Sequence, residues 1–100
     1  MPASYLVILQ PEAEQDLDQA FAYYEEQLSG LGLQLLADLS DAISILEENP
    51  FLFQKIHGEK RRIVIHHFGY NVIYKVVGDY VYILAIMHGS RSPGNWKKRE

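Results

Sequence analysis

The chain has 100 residues, 48% of them hydrophobic and 22% charged, a size for one cored domain and not for two. Folding at this length buries somewhat over ~60% of the unfolded surface, which excludes a deep cavity around a large cofactor and directs any site to a shallow groove or an open sheet face. No cysteine is present, so disulfide frameworks, thiolate zinc sites and cysteine nucleophiles are excluded together. The apolar runs, the longest being Tyr80 to Met87, fall well short of the ~20 residues that cross a bilayer. The N-terminal run lacks a basic leader and stops before an acidic stretch. A cytoplasmic protein with no membrane span, no metal and no cofactor is the expectation.

Net charge is −4, but it is divided unevenly. Residues 1–50 hold ten acids and no Lys or Arg, and residues 51–100 hold nine bases against three acids. Such asymmetry suits a basic face turned toward nucleic acid or an acidic partner. It is equally met by helices that are acidic outside and strands that are basic outside, with no partner implied.

In chain order, Tyr5 to Leu9 is a short β-branched and aliphatic run that reads as a strand. Pro11 fits the first turn of a helix, where its missing N–H is no loss, and Glu12, Glu14 and Asp16 suit the positive end of the helix dipole. Ala13, Leu17, Ala20, Phe21, Tyr24 and Leu28 share one face of a helix of about 17 residues. After Gly30 and Gly32, a second helix is expected from about Leu33, with Leu35, Leu36, Leu39, Ala42, Ile43 and Leu46 as its stripe. Asn49-Pro50 ends it. Residues 51–60 have no period and read as a connector. Strands are expected at about 62–68, 70–77 and 80–87, separated by the turn signals Gly69 and Gly78-Asp79. The tail from Ser90 to Arg99 is polar and basic, with Trp96 inside it. The fold class is therefore α+β, one domain over 1–100: an N-terminal strand and an antiparallel helical hairpin packed on a small antiparallel sheet, in the order β-α-α-β-β-β.

Two-residue turns at Gly78-Asp79 and Gly69-Tyr70 set Val77 opposite Tyr80, Lys75 opposite Tyr82, Ile73 opposite Leu84 and His66 opposite Ile73. One face then collects Arg62, His66, Phe68, Asn71, Lys75, Tyr80 and Tyr82, with His88 at its edge. The other collects Ile63, Ile65, His67, Val72, Tyr74, Val76, Val81, Ile83, Ala85 and Met87, and is the better core. The helices are expected on the second face, leaving the first open.

The chain also resembles a known family. Its marks are Pro11-Glu-Ala-Glu-Gln-Asp16-Leu17, Tyr23-Tyr24, Asn49-Pro50, Arg62 at the start of the sheet, Gly69-Tyr70-Asn-Val-Ile-Tyr74, and Ile86-Met-His88-Gly89-Ser-Arg91. Their order and spacing resemble the RelE/ParE superfamily of type II toxins, or plasmid stabilisation proteins, over nearly the whole chain. The resemblance implies a helical hairpin on a small antiparallel sheet, growth inhibition, and a cognate antitoxin whose disordered segment folds over the toxin, as a homodimer or a toxin–antitoxin heterotetramer. ParE-like members inhibit DNA gyrase. RelE-like members are metal-independent ribonucleases that cut mRNA on the translating ribosome. The His-Gly-x-Arg pattern at His88 leans toward the ParE branch, and an inactive member kept as a binding module is a third reading.

Cleaving RNA through its 2′-hydroxyl needs a base, a cation for the phosphorane, an acid for the leaving oxygen and an aromatic for the splayed base. Arg62, His88 and Arg91 are the candidates for chemistry; by motif, Arg62 and Arg91 resemble the family's sheet arginines. Lys60, Arg61, Lys75, Tyr82, Trp96, Lys97, Lys98 and Arg99 are the candidates for target contact. The competing structural roles are ordinary: His88 capping a turn, His67 hydrogen-bonded in the core, Arg62 paired with Glu47 or Glu48, and Trp96 packed on the sheet. His66 and His67, adjacent on a strand, point to opposite faces and cannot chelate one metal together.

Overall fold

The computed structural model describes residues 5–65, 67–89 and 94–100. Strand β1 (Leu6–Leu9) leads into helix α1 (Pro11–Gln27) and helix α2 (Leu31–Glu48). Strands β2 (Lys55–His57), β3 (Lys60–Ile65), β4 (Tyr70–Val77) and β5 (Tyr80–His88) follow, and the chain ends in a one-turn helix, α3 (Gly94–Lys97).

Pro11 occupies the start of α1, as its fixed φ dictates. The hairpin turn rests on Gly30, held at φ +93°, where a side chain would be strained. The Glu25 carboxylate then accepts the amides of Gly30, Gly32 and Leu33 at 3.0, 2.8 and 3.4 Å. A residue late in α1 thus caps the start of α2, where unsatisfied N–H groups and the helix dipole both favour an anion. Gly32 lets the helices approach closely: a β-carbon there would lie 2.8 Å from the Phe21 ring. Asn49 ends α2, its side chain accepting the Phe51 amide at 3.1 Å, and the Tyr74 hydroxyl donates to the Pro50 carbonyl at 2.6 Å. Burial pushes that phenol up to about 12.

The sheet order is β1-β5-β4-β3-β2. β1 pairs with β5 in parallel and the other pairs are antiparallel, so the sheet is mixed rather than wholly antiparallel. The helical hairpin crosses from β1 to the hairpin strands and delivers β1 beside β5, a geometry periodicity cannot register. The short strand β2 lies in the stretch expected to be a connector, pairing Lys55 with Arg61 and His57 with Lys60.

Val77 does face Tyr80 and Lys75 does face Tyr82. Beyond them, the register departs from a regular hairpin. Ile83 lies opposite Tyr74 and Ala85 opposite Ile73, so Leu84 is an extra residue, a β-bulge. Because side chains alternate with a period of two, one extra residue exchanges the faces of everything after it. Ile86 joins the core under the helices, whereas Ala85 and Met87 join Ile73 on the other face. This corrects the expected placement of Ala85 and Met87 with the helices and of His88 with Arg62. β3 ends at Ile65, and its pairing of Arg62 with Ile73 and Ile65 with Tyr70 is offset by four residues from that of a tight turn at Gly69. An even offset keeps the faces of β3, so Ile63 and Ile65 still meet the helices. The chain leaves the sheet after Ile65, however. Phe68 consequently packs toward α1, 4.9 Å from the Tyr24 ring, instead of lying on the open face. His67 is exposed rather than in the core, its Nδ1 3.0 Å from Asp38 Oδ2.

The main core lies between the helices and the sheet. Ala13, Leu39, Ala42 and Leu46 meet Ile63, Val72, Tyr74, Val81, Ile83 and Ile86 there, and each large side chain so buried contributes about 1.5–3 kcal/mol. The second face is partly covered: Ile56 and Trp96 pack over Ile73, Ala85 and Met87.

Candidate functional site

The tail that carries Trp96 is fastened at two points, both beyond the tryptophan. The Lys60 ammonium donates to the carbonyl of Lys97 at 2.6 Å. The Arg99 guanidinium donates to Asp16 Oδ2 at 2.6 Å, to Asp16 Oδ1 at 3.4 Å and to the carbonyl of Leu84 at 3.1 Å. Asp16 also accepts the amide of Ile86 at 3.0 Å. The bulge disrupts the ladder at Leu84 and Ile86, and Asp16 and Arg99 supply partners for the two backbone groups on either side of it. Asp16, read above as a helix-dipole acid and as part of the first motif, is thus the point where α1, β5 and the C-terminus join. Nothing in its local sequence marks that role, because its partners lie 70 and 83 residues away.

Half of the expected target-binding cations, Lys60, Arg61 and Arg99, are used inside the molecule. Arg61 donates to the carbonyl of Phe53 at 2.6 Å and lies 5.2 Å from the centre of the Phe51 ring; it braces the loop before β2. Lys60 and Arg99 hold the tail. Lys55 pairs with Glu59 at 2.7 Å, and this ammonium holds the Glu59 carboxyl below its usual value. Lys97 and Lys98 are exposed. Trp96 is half-buried on the second face, with His57 edge-on at 6.2 Å. Lys75 and Tyr82 stand side by side on that face, and the Tyr82 ring stacks on Tyr80.

The candidates for chemistry do not converge. Arg62 faces Ile73 on the Trp96 side of the sheet, and no ion pair joins it to Glu47 or Glu48. His88 ends β5 on the helical side, 5.5 Å from the Tyr70 ring, in a groove of about 480 Å3 formed with Gln19, Tyr23 and Tyr24 of α1. Two residues expected to share a face therefore lie on opposite faces, through the single residue Leu84. Arg91 and His66 lie outside the described residues. Among the described residues no three His, Asp or Glu side chains come together as a metal site, and no helix is long and apolar enough to cross a membrane.

A second groove, of about 520 Å3, runs between α2 and β3. Ala42, Ile45, Phe53 and Val64 form its apolar lining, Asp38 and Asp41 stand on the helix side, and Arg62 and His67 on the strand side. The sheet edge opens there. The Arg62 amide donates outward to the Gln54 carbonyl at 3.3 Å, so by the period of two the Val64 amide also points outward, past the end of β2. An apolar trough beside outward-pointing strand amides can take an extended or helical peptide. This groove was not read from the sequence. The spacing of Asp38 and Asp41 puts them on one helix face, the one signal available, but the open edge depends on how far β2 runs.

A model of the family described as "ParE toxin of type II toxin-antitoxin system, parDE" matches residues 7–93. Among curated proteins none matches this chain. Among solved structures, a chain of "Chromosomal ParDE TA system from P. aeruginosa" is 16% identical, with a TM-score of 0.75 over 86% of this chain and 97% of that one. At that identity the likeness is one of fold, and the match running from β1 past the end of β5 is what assigns the lineage. The chain belongs to the ParE toxin family of type II toxin–antitoxin systems.

Proposed function

We propose that this protein is a growth-inhibiting toxin that acts in the cytoplasm by binding DNA gyrase, and that a cognate antitoxin neutralises it. Membership of the ParE family carries this reading. The separation of Arg62 from His88 on opposite sheet faces favours a binding inhibitor over a ribonuclease, because phosphoryl chemistry needs base and cation within hydrogen-bond reach of one phosphate. The antitoxin segment is assigned to the groove between α2 and β3. Its apolar residues cover Ala42, Ile45 and Val64, its backbone meets the β3 edge, and a basic side chain reaches Asp38 or Asp41. Folding of a disordered segment on that surface carries an ordering cost that the interface offsets.

The test is induced expression in cells lacking the antitoxin, with gyrase–DNA cleavage complexes and mRNA integrity measured together. Accumulated cleavage complexes, intact mRNA, and toxicity retained in Arg62→Ala and His88→Ala variants are expected. Codon-phased mRNA cuts that vanish in those variants and in Arg91→Ala would replace this reading with the ribonuclease. Normal growth without any antitoxin would replace it with an inactive binding module.

A further inference from the structure

The groove beside His88 is walled by rings that touch one another in series. Tyr23 lies 5.1 Å from Tyr24, Tyr24 6.1 Å from Tyr70, and Tyr70 5.5 Å from His88, with 82°, 64° and 84° between the planes. Edge-to-face contacts of this kind hold rings in place without stacking their flat faces on one another. Tyr23 is 56% exposed, and Gln19 stands one helical turn before it in the same lining. The enclosed volume of about 480 Å3 admits a large side chain.

Charge and topology select the occupant. No Lys or Arg lines this groove, and α1 contains none. Arg99, which meets Asp16 at the groove's edge, is spent on that carboxylate and on the Leu84 carbonyl. The helical period continues the row of Asp16, Gln19 and Tyr23 to Glu12 one turn before and Glu26 one turn after. Both are exposed and, among the described residues, without an ion pair. Phosphate, and with it nucleic acid, is repelled from such a rim. Strand addition is closed as well, because β4 and β5 lie inside the sheet and offer no free ladder edge there. Aromatic rings flanked by acids favour a cation. Among side chains the guanidinium suits them best, since it is flat and weakly hydrated, stacks on rings, and keeps N–H donors for Gln19 and the carboxylates. We propose that this groove receives an arginine side chain of the toxin's protein target, held among Tyr23, Tyr24 and Tyr70 in the field of Glu12 and Glu26. The proposal rests on the reading of the chain as a gyrase-binding toxin, and it assigns the contact to the gyrase protein and not to the DNA that gyrase holds. The segment 67–70 borders both grooves, with His67 in the one assigned to the antitoxin and Tyr70 in this one, and there the two partners compete.

Two measurements on the full chain test this. In the first, N-acetyl-arginine amide is titrated and followed by NMR, against N-acetyl-citrulline amide, which has the same length and no charge. Shifts centred on Tyr23, Tyr24 and Tyr70 are expected, with the citrulline compound bound about threefold or more weakly. In the second, affinity for purified gyrase is measured by surface plasmon resonance. Tyr23→Ala and Glu26→Lys should each lower it about tenfold or more, and Tyr23→Phe, which keeps the ring, should hold it within about twofold. Glu48→Lys, the same charge change at the last residue of α2, should leave it unchanged. Glu26→Lys keeps the test decisive if Tyr23→Ala fails to fold, which circular dichroism would reveal. The two amides bound alike, or arginine shifts away from these rings, would overturn the site. Arginine bound in the groove but gyrase affinity indifferent to Tyr23→Ala and Glu26→Lys, or equally lowered by Glu48→Lys, would overturn the assignment to the target. A wild-type chain with no affinity for gyrase would refute the gyrase reading itself, and the source of the arginine with it, whatever the titration gives.

Discussion

Replacing Asp16 by Ala should destabilise the protein more than any other change at a polar residue we have described. The Asp16 carboxylate is 15% exposed and the Arg99 guanidinium 21%, which places the pair between surface pairs worth about 0.2–1 kcal/mol and buried pairs whose breakage costs about 3–5. Asp16→Ala also strips the acceptor from the Ile86 amide, a backbone donor beside the bulge, at about 1 kcal/mol or more. A total of about 2–3 kcal/mol is expected, or roughly 10–20 °C in Tm for a domain of this size. Arg99→Met breaks the same ion pair but leaves Asp16 with the Ile86 amide, so about 1–1.5 kcal/mol is expected. Urea denaturation followed by circular dichroism measures both, with an unchanged m-value as the check that one transition is being compared. Trp96, the only tryptophan, adds a second readout. With the clasp broken its emission should shift to the red before the main transition, as the tail lifts from Ile73, Ala85 and Met87. A loss under about 0.5 kcal/mol in Asp16→Ala, within the range of ordinary surface substitutions, would refute the idea that this residue holds the bulge and the tail.

Three further outcomes follow from the same contacts. The Tyr74 phenol, raised to about 12 in the folded state against about 10 unfolded, binds its proton more tightly when folded. Its contribution is therefore complete below pH 10 and lost as pH rises toward 12, by an amount of order 2 kcal/mol; the stability gap between the wild type and Tyr74→Phe, measured by urea titration, should narrow across that window. Gly32→Ala forces a methyl group to within 2.8 Å of Phe21 and Glu25, and thermal melts should show a loss of about 1–3 kcal/mol from this overpacking, against the gain that alanine brings to an ordinary helix position. Deleting Leu84 should abolish cooperative unfolding, because it turns Ile86 out of the core and His88 onto the Trp96 face. Leu84→Ala, which keeps the count, should retain a single transition at a cost of about 2–4 kcal/mol.

The helices and the central hairpin were legible in the residue pattern because their causes are local. Pro11 with its acidic first turn, the stripe from Ala13 to Leu28, Asn49-Pro50 and the Gly78-Asp79 turn each act over a few residues, and α1, α2, β4 and β5 lie within two residues of where those signals place them. The core side of β3 and β4 was legible too, since Ile63, Ile65, Val72 and Tyr74 keep the alternation that a half-buried strand requires.

The local pattern left open whatever depends on residues far apart meeting. The parallel pairing of β1 with β5 needs the whole hairpin between them, and β2 exists because β3 is there to pair with. The bulge at Leu84 is invisible in a run of apolar residues that reads equally well in either register, and its stabilising partners, Asp16 and Arg99, come from the two ends of the chain. That one residue decides which side chains can act together: it parts His88 from Arg62 and lets Trp96 close over Ala85 and Met87. Composition and periodicity decide which elements form, because propensity and burial act within a few turns or strands. Register and long-range ion pairs decide which surfaces those elements present, because they are set only when the layers meet.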